Sequence, residues 1–222
     1  MTTEGYLRDN AFHVARQFKT LVCSILLICG GAATAIAMGL APTRTITYGD
    51  QITLSGTVPA AERGKSISIM AQSCSFTGFA QVAQETATSN GSYSYRTGPT
   101  LATDYSVRTG DTEIFGLSVR VHPQLALVKV GPRRLRADVT TAGGTSLAGK
   151  PVVLEQARSS HGPWKPISSK AMRLTSSPTA MNAVSSATFV TSVPLPAYLR
   201  ARLAPSSGAP CYLGAASPAL GR

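Results

Sequence analysis

Two glycine-lysine stretches are the first candidates for chemistry. Gly144-Thr145-Ser146-Leu147-Ala148-Gly149-Lys150 satisfies the first part of a phosphate-binding loop, and Gly64-Lys65-Ser66 satisfies the last part. A working loop needs backbone amides that open a helix after the lysine, and a hydroxyl that holds the metal. Pro151 occupies the hydroxyl position in one copy and Pro59 the first glycine position in the other, and a β-branched run follows both. Each is therefore read as a turn before a strand. Beyond residue 41 the chain has only His122 and His161 to serve as an imidazole base, with the carboxylates Asp50, Glu62, Glu85, Asp104, Asp111, Glu113, Asp138 and Glu155. Hydrolysis usually needs a base beside a nucleophile or two facing carboxylates. Ser160 and His161 are adjacent in sequence, which is not triad geometry, and Gly162-Pro163 places them on a loop. No catalytic residue, cofactor or metal site is assigned, and a non-enzymatic protein is expected.

Charge placement carries more information. Residues 42–121 hold six basic residues against six carboxylates, whereas residues 122–222 hold twelve against Asp138 and Glu155, an excess of ten. Strand alternation puts Arg134 with Arg136, and Arg200 with Arg202, on outward faces, where their field is available to an anionic partner. Outside the cytoplasm that partner would be an anionic envelope polymer, a lipid head group or an acidic glycan; the plainer reading is a solvated basic surface. Nucleic acid is not expected, because no aromatic platform is interleaved with the basic strands. Trp164, beside a turn, is assigned to the core rather than to sugar stacking. Asn90-Gly91-Ser92 fits a glycosylation sequon, but a tight hairpin turn is sufficient to explain it. Cys74 and Cys211 fall in different halves. A disulfide between them is one reading, two independent thiols the preferred one, and metal binding by the pair has no spacing to support it.

The elements that must position these residues follow from a duplication. Gly64-Lys65-Ser66-Ile67-Ser68-Ile69-Met70 returns 85 residues later as Gly149-Lys150-Pro151-Val152-Val153-Leu154-Glu155. Aromatic-bearing segments follow each copy: Phe79 and Trp164, then Tyr93 with Tyr95 and Phe189, then Tyr105 and Tyr198. That offset is too long for a solenoid and suits a sandwich domain of about 100 residues. Ile52, Leu54 and Val58 alternate with Thr53, Ser55 and Thr57, and Leu135, Ala137 and Val139 alternate with Arg134, Arg136 and Asp138, the period of a sheet with one wet face. Ile167 and Leu174 are also assigned inward. From Ala204 onward the composition predicts one edge strand and a loose end.

Ahead of the repeats, Leu21–Ala41 contains no charge and follows a segment carrying Arg8, Arg16 and Lys19. Its length suffices for a bilayer crossing, which takes roughly 20 apolar residues. Ala35-Ile36-Ala37 offers a signal-peptidase site, and Gly30 and Gly31 weaken the hydrophobicity. Export with cleavage is favoured over an uncleaved anchor that would hold the protein in the membrane through residues 21–41. Either way residues 42–222 lie outside the cytoplasm.

Taken in order, Tyr48-Gly49-Asp50, Leu54-Ser55-Gly56-Thr57-Val58, Gly64-Lys65, Asn90-Gly91-Ser92-Tyr93-Ser94-Tyr95, Pro99-Thr100 and Tyr105, then Gly149-Lys150, Gly162-Pro163-Trp164 and Tyr212-Leu213-Gly214, resemble the tandem Ig-like repeats of exported bacterial surface proteins. The resemblance covers nearly everything after residue 42 and implies an all-β chain, one Ig-like β-sandwich over 42–123 and a second, basic one over 124–222, preceded by the signal or anchor helix read over 1–41. It implies spacer, stalk or adhesion roles and no catalytic residues. The second repeat departs from the pattern in being rich in proline and poor in core residues.

Overall fold

Alternation of apolar and polar residues dictates strands, and strands fill the structure. The computed structural model describes residues 42–110, 112–176, 180–192 and 197–221. The expected leader over 1–41 lies outside them. Within the described residues no helix is long and apolar enough to cross a membrane, and the only helical pieces are a 3-10 turn at Ala60–Glu62 and one turn at Pro205–Gly208. The chain is all-β and β-sandwich-like, with several sheets.

The first half contributes β1 (Thr43–Thr47), β2 (Ile52–Thr57), β3 (Ser66–Ser73), β4 (Ala80–Thr86), β5 (Ser92–Thr97), β6 (Thr103–Thr109) and β7 (Thr112–His122). One sheet runs β1-β7-β6-β3-β4, with β1 parallel to β7; the other is the antiparallel pair β2-β5. After the single residue Pro123 come β8 (Gln124–Gly131), β9 (Arg134–Ala142), β10 (Pro151–Ala157), β11 (Lys165–Ala171), β12 (Arg173–Leu174), β13 (Asn182–Val190), β14 (Tyr198–Leu203), β15 (Ala215–Ala216) and β16 (Leu220–Gly221). These form the sheets β12-β13-β9-β8 and β11-β10-β14-β15, with β16 also on β14. The path β6-β3-β4 of the first half recurs as β14-β10-β11 in the second, and the pair β2-β5 recurs as β9-β13. The opening strand differs: β1 joins the sheet of the last strand, whereas β8 pairs with β9.

Each half closes on its own apolar cluster, one built around Leu54, Ile67, Ile69, Val107, Val119 and Val121, the other around Val139, Val152, Leu154, Phe189, Leu199 and Leu203. The second cluster contains fourteen buried residues among those described, seven of them leucines with Met172 and Phe189, so the half expected to be core-poor packs a full interior. Both belong to one contact unit, Leu40–Arg222.

The duplicated turn has a physical reason to recur. Gly64 and Gly149 sit at φ +70° and +82°, which favours glycine, and strands β3 and β10 follow them. Gly64 N donates to Thr88 O at 3.3 Å and Ala87 N to Lys65 O at 3.0 Å. The counterparts are Gly149 N to Met172 O at 2.8 Å and Met172 N to Lys150 O at 3.0 Å. No helix opens after either lysine, which removes the phosphate-loop geometry.

Several expected positions move. Ile167 and Leu174 are exposed; Ile167 falls where the β10–β11 register slips, between the partners of Leu154 and Glu155. Trp164 belongs to neither core. The stretch beyond Ala204 is not a loose end, because it adds two short strands to β14 and reaches into the first core.

Candidate functional site

Specific contacts join the two halves, and most of them are built by the connection between β14 and β15. Leaving β14, the chain turns at Pro205–Gly208 and then runs over Ala209–Gly214 against the end of the first half. Cys211 is disulfide-bonded to Cys74, which follows β3. Ala102 N donates to Cys211 O at 3.0 Å, Cys74 N to Ala102 O at 2.8 Å, and Leu213 N to Val121 O at 2.8 Å. His122 Nδ1 lies in hydrogen-bonding contact with Gly214 O.

Tyr212 is the centre of this strap. It is 3% exposed and packs in the first half's core although it belongs to the second half's chain segment. Its hydroxyl donates to Thr100 O at 2.9 Å and accepts from Ala142 N at 2.8 Å, so one oxygen ties a loop of the first half to the end of β9. Burial pushes its pKa up to about 12, with the nearby Tyr48 adding to the rise and the Ala142 hydrogen bond opposing it. Tyr48 Oη donates to Asn182 Oδ1 at 2.6 Å, a further crossing between the halves. The backbone fits closely: a Cβ on Gly214 would meet Leu203 O at 2.7 Å and Pro205 N at 2.8 Å. This arrangement can hold the two halves in a fixed relation.

The four arginines expected to face an anion are not brought together. Arg134 and Arg136 stand outward on β9, while Arg200 and Arg202 stand outward on β14, in the other sheet, so the two pairs lie on opposite sides of the second half. Three of them are also engaged. Arg136 Nε contacts Asp138 at 2.9 Å, Arg200 Nε contacts Glu155 at 2.8 Å, and Arg202 Nη1 contacts the same carboxylate at 3.6 Å. The two carboxylates of the half are thus spent on its own arginines. Trp164 lies half-buried under the Arg200 guanidinium at 4.3 Å, stacking on a cation of its own chain. That contact, and the pairing through Glu155, follow from the register Glu155↔Arg200 across β10 and β14.

His161 is exposed between β10 and β11, with Ser160 Oγ at 3.1 Å from Nδ1 and no carboxylate bonded to it among the described residues. Among the described residues no group of three or more His, Cys, Asp or Glu side chains could hold a metal. No protein-family model matches the chain, and no curated protein matches it.

Sequence reasoning missed the strap. Its signal was present in Cys211-Tyr212-Leu213-Gly214, an apolar island in a stretch otherwise resembling a tail. Composition assigned that stretch to a loose end because long-range pairing has no local periodicity.

Proposed function

We propose that the protein is an exported, non-enzymatic surface protein whose two Ig-like sandwiches act as one stiff spacer or adhesion module. The observation that supports this most is the strap, in which a disulfide, the buried Tyr212 and backbone hydrogen bonds join the halves. A disulfide persists in oxidising compartments outside the cytoplasm, in keeping with the uncharged leader segment over residues 21–41. Support also comes from the recurrence of strand order between the halves, β9-β13 and β14-β10-β11 repeating β2-β5 and β6-β3-β4. Stiffness is what a spacer requires, since a jointed pair would not hold a fixed separation. Holding an anionic polymer through Arg134, Arg136, Arg200 and Arg202 together is disfavoured by their placement on opposite faces and by the ion pairs at three of them.

The reading is tested by treating intact host cells with trypsin and analysing the released protein under non-reducing conditions. Surface exposure is expected to give release of a protected body retaining the Cys74–Cys211 link. Full protection of the protein until the cells are lysed would overturn export.

A further inference from the structure

Residues 122–222 carry twelve basic side chains against two carboxylates, and strand register shows where the surplus collects. Asp138 stands in the body of β9 and engages Arg136, and Glu155 stands in the body of β10 and engages Arg200 and Arg202. Lys150 and Lys170 lie at the end near the strap, and Arg173 lies on the short β12. Lys129, Arg133, Arg134, Arg158 and Lys165 are all exposed, and none has an ion pair among the described residues.

Topology gathers these five at the end away from the strap. Ala142, which closes β9, meets Tyr212, and Leu203, which closes β14, leads into the strap, so the opposite ends of the same strands form the far end. There β8 turns into β9 over residues 131–134, Arg134 pairs with Val190, and Thr191 N donates to Arg133 O at 3.0 Å. In the other sheet Gln156 pairs with Lys165 and Ala157 with Tyr198, so Arg158 and the loop to Trp164 share that end. Two exposed valines sit among the cations. The register slip between Lys129 and Gly131 leaves Val130 without a cross-strand partner and 45% exposed, and Val190 is 72% exposed. Trp164 and Tyr198, both half-buried, lie at the same end.

We infer that this far end docks on a lipid bilayer rich in anionic headgroups, which rests on the adhesion reading above and supplies its surface. The charge is complementary. Five cations face outward with no carboxylate at that end among the described residues, and each basic residue held near an anionic membrane adds to binding. Three of the five are arginines, whose planar forks match phosphate oxygens two at a time. The valines decide between a membrane and a dissolved polyanion. A dissolved polymer gains nothing from exposed apolar tips, whereas a bilayer takes them in at its acyl boundary while the cations stay with the headgroups. Tryptophan and tyrosine are the side chains enriched at that same depth.

The test uses the exported protein isolated from its host with the disulfide intact, and vesicles of phosphatidylcholine alone or with added phosphatidylglycerol. A residual leader would hold the protein on both vesicles alike, so the difference between them is the readout, together with the emission of Trp164, the single tryptophan. Stronger partition to the anionic vesicles is expected, with a blue shift of Trp164, and it should fade as salt approaches 1 M, where the screening length is about 3 Å. Arg133→Ser with Arg134→Ser should weaken that partition about 25-fold, at roughly fivefold per basic residue. Val130→Ser with Val190→Ser should weaken it roughly tenfold, whereas Lys150→Ser with Arg173→Ser, removing the same charge elsewhere, should change it far less. Equal partition to both vesicles, a Trp164 emission unmoved by anionic lipid, or an equal loss from the Lys150 and Arg173 variant would overturn docking through the far end. Dissolved polyphosphate binding as tightly as the vesicles, with the valine variant unaffected, would overturn the membrane in favour of a soluble polyanion. Release by trypsin from cells is read separately, so export and docking fail independently.

Discussion

Tyr212 concentrates the molecule's specificity in one side chain. Replacing it by phenylalanine keeps the ring in the first core but leaves Ala142 N–H and Thr100 C=O without the hydroxyl that joins them. A loss of about 1–3 kcal/mol is expected on urea unfolding, the penalty for buried polar groups left unpaired. The same hydroxyl makes an alkaline prediction. Its folded pKa is about 12 against the model value of 10, so above pH 10 the unfolded chain gives up the proton first. The unfolded state then binds fewer protons than the folded one, and stability falls as pH rises. The contribution is whole below pH 10 and is lost through pH 12, amounting to roughly 2–3 kcal/mol. Tyr93 and Tyr105, raised chiefly by burial, act in the same direction. The stability gap between wild type and Tyr212→Phe is expected to narrow across that window, which unfolding at pH 9 and pH 12 would check. Gly214→Ala is expected to destabilise through its close approach to the Leu203 carbonyl and the Pro205 nitrogen, two backbone atoms that cannot swing aside.

At the scale of elements, the strap works because covalent and non-covalent links coincide. Cys74 and Cys211 are 137 residues apart, and closing so long a loop in the unfolded chain is worth about 5 kcal/mol on the chain-entropy view. The double variant Cys74→Ser with Cys211→Ser is expected to lose a comparable amount in urea unfolding. A change of under about 1 kcal/mol would mean that the hydrogen bonds around Ala102 and Val121 hold the strap unaided. The strands themselves were legible in the sequence. Ile52, Leu54 and Val58, and Leu135, Ala137 and Val139, alternate as a half-wet sheet requires, and they are buried. Ile167 was misplaced because a single register slip between β10 and β11 reassigns faces, and nothing local in Lys165–Ala171 signals it; Trp164 precedes β11 and stacks on Arg200 instead. The outward direction of the arginines was readable too. Their separation onto two sheets was not, because it depends on which strands pair rather than on which residues alternate.

Over the whole molecule, the duplication is real in strand order, yet the halves are not self-sufficient. Tyr212 completes a core more than ninety residues from its own position in sequence, packing beside Val119 and Val121. A chain ending at Pro123 is therefore expected to lose about 3–5 kcal/mol, the usual effect of deleting a large buried side chain, visible as a lowered melting temperature against the full protein. The sequence repeat suggested two independent modules because a repeat in turn and core residues reports how each sheet folds, not how one sandwich is tied to the next. The proposed spacer would transmit force through the strap rather than through Pro123 alone. Native-state hydrogen exchange on the oxidised protein tests that most directly. The amides of Cys74, Ala102, Tyr212 and Leu213, which donate to Ala102 O, Cys211 O, Gly208 O and Val121 O, should exchange only with the slowest, global opening, and reduction should bring them to faster sub-global opening. Rapid exchange of these four amides in the oxidised protein, while β6 and β14 stay protected, would contradict a fixed junction.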